Sequence, residues 1–172
     1  MNTMQQFKQI KTFIFDVDGV LTNSDLFVTQ SGELLRTMNT RDGYALKMAV
    51  SLGYNVCIIT GGRSEGVALR LKGLGIEHVF LGASDKLSIF NQYKQDNNLK
   101  IEEILYMGDD LVDIEVMQQV GLATCPADAA NEVKAISAYI AKSKGGSGCA
   151  REIIEMVLKL NHQWPYQEKS TA

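Results

Sequence analysis

Phe13-Ile14-Phe15-Asp16-Val17-Asp18-Gly19-Val20-Leu21-Thr22 is the stretch that decides the fold. An apolar run of strand length delivers two carboxylates to its C-terminal end, and a glycine follows at once so that the chain can turn sharply. In an open α/β sheet, ligands sit outside the carboxyl ends of the strands. Two acids two residues apart at such an end can hold a metal between a side-chain and a backbone oxygen. One can attack while the other carries a proton. An isolated Asp-x-Asp is more often a pair of solvated loop acids, so the reading depends on what else reaches the same end.

Two further runs do. Asn55-Val56-Cys57-Ile58-Ile59-Thr60-Gly61-Gly62 ends in a hydroxyl and two glycines, and Ile104-Leu105-Tyr106-Met107-Gly108-Asp109-Asp110-Leu111-Val112-Asp113 ends in three acids. Lys86 lies between them at the start of a helical pattern. Strand-length runs at 12–17, 55–60, 78–81, 103–107, 121–124 and 138–140 alternate with stretches of helical period. Tyr44, Met48 and Leu52 share one helical face, as do Val67, Leu71 and Leu74, then Ile89 and Tyr93, then Ile153, Val157 and Leu160. Alternating β and α with short joints predicts an α/β fold, a mostly parallel sheet covered by helices on both faces. Residues 22–41 break the alternation: Leu26–Thr29 and Leu34–Met38 flank Gln30-Ser31-Gly32-Glu33 and read as a β-hairpin that could form a flap over the acid pair. Lys144-Gly145-Gly146-Ser147-Gly148 reads either as a linker or as backbone that approaches an anion closely. The expected organisation is one domain over 1–163, with the hairpin at 22–41, the glycine-rich segment and last helix at 144–161, and a loose tail over 164–172.

The chain has 172 residues and a formal net charge of −3, with 45% hydrophobic and 22% charged residues. These values fit one globular core and give no electrostatic footprint for nucleic acid or a membrane surface. No apolar run approaches the roughly 20 residues of a spanning helix. Met1–Gln9 lacks the apolar core of a signal peptide. Cys57, Cys125 and Cys149 are too few and too scattered for a disulfide framework or a zinc site. A cytoplasmic protein is expected.

A phosphate monoester brought to these strand ends would be repelled by a carboxylate nucleophile unless a cation bridged them. Mg²⁺ prefers oxygen ligands and keeps several waters. Asp16, the Asp18 backbone carbonyl and Asp109 could supply the protein's share. Asp16 could attack to give an aspartyl-phosphate, with Asp18 as acid and then base. Thr60 and the Gly61 amide could hold phosphoryl oxygens, Lys86 could offset the charge, and Asp110 and Asp113 could orient the metal waters or Lys86. Read singly, Thr60 is an ordinary strand-end hydroxyl, Lys86 a surface helix residue and Asp113 a helix-start acid.

The four segments together resemble the haloacid dehalogenase superfamily of phosphohydrolases. They are Asp16-Val17-Asp18-Gly19-Val20-Leu21-Thr22, Ile59-Thr60-Gly61, Lys86 and Gly108-Asp109-Asp110-Leu111-Val112-Asp113. The resemblance implies a Rossmann-like sheet with nucleophile Asp16, acid/base Asp18, phosphate ligands Thr60 and Lys86, and Mg²⁺ ligand Asp109. The gaps between motifs leave no space for a cap domain. Capless relatives are often homotetramers in which neighbouring subunits cover the site. Asn39-Thr40-Arg41-Asp42-Gly43-Tyr44 and Gly145-Gly146-Ser147-Gly148-Cys149-Ala150-Arg151-Glu152 further resemble the 3-deoxy-D-manno-octulosonate 8-phosphate (KDO 8-phosphate) phosphatases, whose substrate belongs to lipopolysaccharide biosynthesis. That resemblance makes Arg151 a candidate ligand for a sugar-acid phosphate, with Arg63 and Arg70 as further candidates. Gly62 departs from the arginine frequent there in that family, and from the glutamate of a related phosphatase of the nine-carbon KDN 9-phosphate. Sugar length stays open between the two. A non-enzymatic alternative, an assembly module, follows from similar domains attached to nucleotidyltransferases.

Overall fold

The computed structural model describes residues 2–166. Its strands are β1 (Thr12–Phe15), β2 (Phe27–Val28), β3 (Leu34–Leu35), β4 (Asn55–Ile59), β5 (His78–Phe80), β6 (Ile104–Met107), β7 (Leu122–Cys125) and β8 (Tyr139–Ile140). Its helices are α1 (Thr3–Gln9), α2 (Thr40–Ser51), α3 (Glu65–Lys72), α4 (Lys86–Asp96), α5 (Ile114–Met117), α6 (Asn131–Ile136) and α7 (Cys149–Leu160). Six strands form one parallel sheet in the order β5-β4-β1-β6-β7-β8. The chain runs outward from β1 through β4 to β5, then returns to β6 on the other side of β1. Strand β1 therefore ends where the winding reverses, which is where a crevice opens in such a sheet.

Successive side chains of a strand point to opposite faces. Phe13, Phe15, Val56, Ile58, Leu105 and Met107 pack on one face, under α1, α2, α3 and α7. Ile14, Cys57, Ile59, Ile104 and Tyr106 pack on the other, under α4, α5 and α6. Burial on both faces is why these strands read as continuous apolar runs rather than alternating ones. The result is the Rossmann-like, doubly covered sheet, with only the hairpin and α2 between β1 and β4.

Several boundaries differ from the sequence reading. The paired part of the hairpin is short, Phe27–Val28 against Leu34–Leu35. Asn39 already caps α2, its side chain accepting from the Arg41 and Asp42 N–H groups, so residues 40 and 41 belong to a helix. Helices α1 and α6 were not anticipated. Trp164, expected to open a loose tail, is 4% exposed and sits edge-on to Tyr44. Residues 167–172 of that tail lie outside the described residues. Among the described residues, no helix is long and apolar enough to cross a membrane.

The glycine-rich segment is not a free linker: it packs against the turn that follows β1. A Cβ on Gly145 would strike the Gly19 carbonyl, and the Gly146 N–H donates to the Val20 carbonyl at 2.9 Å. The segment therefore braces the acid-bearing turn from behind. Its continuation into α7 is held by the buried Asp42, which accepts from the Arg151 N–H at 2.7 Å and the Gly148 N–H at 3.2 Å. Leaving those donors without a partner costs about 1–3 kcal/mol. Asp42→Ala should lower unfolding stability by about that amount in urea titration, with an unchanged m-value. Asp42→Asn, which keeps one acceptor oxygen, should cost less.

Candidate active site at the strand ends

The C-terminal ends of β1, β4 and β6 open into a cleft of about 930 Å³, lined by Asp16, Asp18, Thr60, Gly61, Lys86 and Asp109 among others. Each side chain arrives there for a local reason. Asp16 follows the fully buried β1 and turns its own Oδ1 onto the Val17 N–H at 2.7 Å. Gly19 then takes φ +89°, a conformation that favours glycine. A Cβ at Gly19 would also collide with the Asp109 carboxylate, so only glycine lets the β1 and β6 loops approach this closely. Thr60 follows β4 directly, and its Oγ1 accepts from the Gly62 N–H at 3.2 Å, shaping the turn. Asp85 caps α4 through the Ser88 N–H, and this places Lys86 as the first helical residue, aimed inward.

Lys86 holds the acids together. Its Nζ lies 2.7 Å from Asp113 Oδ1 and 3.1 Å from Asp16 Oδ2, and the three groups are almost fully buried. Burial opposes the ammonium, but Asp16 and Asp113 outweigh it and raise the Lys86 pKa. Asp113 is saturated: Oδ1 also accepts the Tyr106 hydroxyl at 2.7 Å, and Oδ2 accepts the Asp109 and Asp110 N–H groups at 3.1 and 3.3 Å. It fixes both the lysine and the acidic loop. Asp110 itself caps the following turn through the Leu111 N–H.

Asp109 is different. Its Oδ1 is buried and has no hydrogen-bond partner. Oxygens of Asp16, Asp109 and Asp113 lie within 4.8 Å of one another. Since Asp113 is already committed, Asp16 and Asp109 are the carboxylates free to bind a hard cation, and an orphaned buried oxygen fits that use. Burial, then the neighbouring carboxylates, push Asp109 up to about 7. Burial and Asp113 push Asp16 up to about 6 against the pull of Lys86.

The remaining expected residues divide. Arg63 lines a groove with Gly61 and Gly62 and lies against Gly82. Arg70 lies against Gly43 of α2 instead. Arg151 bonds Glu155 at 3.1 Å and sits 5.3 Å over the Trp164 ring, in a separate surface groove. None of the three lines the acid cleft of its own chain, and Arg63 comes nearest, in the groove beside it. Two residues escaped the sequence reading. Tyr106 was absorbed into an apolar strand, though a tyrosine two residues before a Gly-Asp-Asp carries a hydroxyl that needs a buried partner. Arg36 comes from the hairpin, and its guanidinium grips the Asp18 carboxylate with bonds of 2.6 and 3.0 Å.

These raised acids make a stability prediction. Unfolded, Asp16 and Asp109 would ionise near 3.8; folded, near 6 and 7. Between those values the folded chain binds more protons than the unfolded one, so metal-free stability falls as pH rises from about 4 to 7. A bound divalent cation relieves the same repulsion. Thermal melts should show Mg²⁺ raising Tm more at pH 8 than at pH 5. Asp109→Asn should flatten the metal-free slope; an unchanged slope would mean that other groups set it.

Comparison with known proteins agrees with this geometry. A model of haloacid dehalogenase-like hydrolases matches residues 75–153. The chain is 36% identical over 157 residues to the KDO 8-phosphate phosphatase of Yersinia pestis, covering 91% of this chain and 84% of the relative. A crystal structure of the phosphatase from Yersinia pestis superposes with a TM-score of 0.90 at 35% identity, over 93% of this chain and 86% of that one. A Moraxella catarrhalis KDO 8-phosphate phosphatase, solved with magnesium, phosphate and KDO, superposes with a TM-score of 0.89 at 32% identity, over 93% and 92% of the two chains. The match runs over most of both chains, and this chain belongs to the KDO 8-phosphate phosphatase family of haloacid dehalogenase-like hydrolases.

Proposed function

We propose that this chain is a Mg²⁺-dependent phosphatase that hydrolyses KDO 8-phosphate to KDO and inorganic phosphate in lipopolysaccharide biosynthesis. The observation that carries the proposal is the buried Asp16–Lys86–Asp113 array with the unpartnered Asp109 oxygen beside it. Kinship with enzymes of that name, one of them solved with magnesium and KDO, supports the substrate and the metal.

Asp16, Asp109 and the Asp18 backbone carbonyl would hold the cation. When bound, it neutralises charge between the nucleophile and the phosphate and aligns the two. The chain's own groups do the rest. Thr60 Oγ1 and the Gly61 N–H hold phosphoryl oxygens, and Lys86 Nζ offsets their charge. An Asp16 oxygen forms the new bond to phosphorus as the bond to the sugar oxygen breaks, and Asp18 gives that oxygen its proton. Water then attacks phosphorus, passes a proton to Asp18 and frees Asp16. Tyr106 and Asp113 keep Lys86 aimed while charge shifts.

The exposed apolar side chains of the hairpin, Phe27, Val28, Leu34 and Leu35, support self-association through this face, and with the resemblance to capless relatives we take the assembly to be a homotetramer in which neighbours cover this open site. Arg151, remote from its own cleft, is available to a neighbour's. The three free, buried cysteines suit a reducing compartment, and we assign the protein to the cytoplasm.

Phosphate release from KDO 8-phosphate and KDN 9-phosphate, with Mg²⁺ and with EDTA, tests the reading. KDO 8-phosphate should be preferred, and EDTA should stop turnover. Asp16→Asn should abolish it, Asp18→Asn should cost about 10²–10⁴-fold, and Lys86→Ala about 10²–10³-fold in kcat. Preference for KDN 9-phosphate would change the substrate and keep the chemistry. A folded tetramer inactive on every phosphate ester would leave an assembly module.

A further inference from the structure

Arg36 holds Asp18 in a planar two-bonded fork, Nε to Oδ1 and Nη2 to Oδ2, while its Nη1 donates to the Leu34 carbonyl at 2.8 Å. This is the geometry by which arginine recognises carboxylates in general. The arginine side chain is 6% exposed, but that of Asp18 is 35% exposed, so the pair is open to competition from the carboxylate side. The room for the fork comes from Gly62. A Cβ there would stand 3.3 Å from both Arg36 Nη2 and Asp18 Oδ2. Arg36 also lines a second groove of about 610 Å³ between the hairpin and the phosphate loop, together with Gly62 and Arg63. Gly61 and Gly62 border both this groove and the acid cleft. A ligand with its phosphate in the cleft can therefore extend past the fork into the groove.

The fork conflicts with proton transfer. A guanidinium bonded to both oxygens fixes the direction in which the carboxylate faces, so Asp18 cannot turn toward a leaving group while both bonds stand. Asp18 must leave Arg36 before it can act in the reaction proposed above. A guanidinium so poorly exposed will not stay unpaired, so something anionic has to take the place of Asp18.

We propose that Arg36 recognises the carboxylate of the sugar acid, and that transfer of its guanidinium from Asp18 to that carboxylate releases Asp18 for proton transfer. This inference rests on the phosphatase reading and adds a specificity-determining residue to it. One carboxylate replaces another, so the arginine is paired throughout and no bond is made or broken covalently. A phosphate ester without a carboxylate binds but leaves Asp18 clamped. Discrimination then appears in kcat as well as in KM, because only the acidic substrate supplies the difference in binding that opens the pair.

The experiment compares full-length wild type, Arg36→Gln and Arg36→Lys on KDO 8-phosphate and on mannose 6-phosphate, a sugar phosphate without a carboxylate. Arg36→Gln should lower kcat/KM for the acid by about 10- to 100-fold, the range for losing hydrogen bonds to a charged group. It should raise kcat on the neutral ester, where Asp18 is no longer clamped. Arg36→Lys keeps the charge and loses the fork, and should fall between on the acid. Inhibition by KDO alone gives a readout free of turnover, and Arg36→Gln should weaken it by a similar factor. Equal losses on both substrates, or undiminished inhibition by KDO, would overturn the role of Arg36 while leaving the phosphatase reading intact. A wild-type protein inactive on both esters would remove the phosphatase reading itself, and this inference with it. Should Arg36→Gln fail to fold, Arg36→Lys and KDO inhibition decide between the same outcomes.

Discussion

The Lys86 ammonium stands between the carboxylates of Asp16 and Asp113 at the buried ends of β1 and β6. Three carboxylates within 4.8 Å cannot all remain ionised in a desolvated pocket on one positive charge. Lys86 and the Tyr106 hydroxyl satisfy one face of Asp113, and two backbone amides satisfy the other. What is left over is concentrated on Asp16 and Asp109, whose pKa values rise and whose oxygens have the fewest partners. A site with one too few cations is a site for another cation, and a phosphate dianion can approach it only when that cation is there.

The fold exists around this constraint in a specific way. A parallel sheet buried on both faces delivers three loops to one end without exposing its strands. The β1 and β6 loops touch only because residue 19 is glycine, and the glycine-rich segment before α7 braces that turn from behind. Asp42 ties α7 to α2, so the brace is anchored in the same helical layer that covers the sheet. The hairpin adds the arginine that pairs with Asp18 and presents its apolar side chains outward.

The sheet was legible because each strand is a short apolar run bounded by polar or glycine residues, and burial on both faces leaves no alternation to misread. That Asp16, Thr60, Lys86 and Asp109 meet in one cleft was legible because three of them follow apolar strands of one parallel sheet and the fourth opens a helix between two of those strands. Arg36 was not, since a basic residue on a hairpin looks like any solvated charge until its partner 18 residues earlier is placed beside it. Tyr106 was hidden by its apolar ring. Trp164 looked like tail because the sequence beyond α7 has no period, yet its ring is covered by Tyr44 and Arg151. Arg151 carried a family resemblance that a single chain does not bring to its own cleft. Helices α1 and α6 are too short, at 7 and 6 residues, for a helical stripe to stand out.

The central claim is that an Asp16 oxygen becomes bonded to phosphorus. Acid-quenching the Mg²⁺-loaded enzyme during turnover, reducing with borohydride and mapping peptides by mass spectrometry tests it directly. Conversion of Asp16 to homoserine, dependent on substrate and absent from Asp18, is the predicted result. Reduction at another carboxylate, or at none while phosphate is being released, would contradict the account.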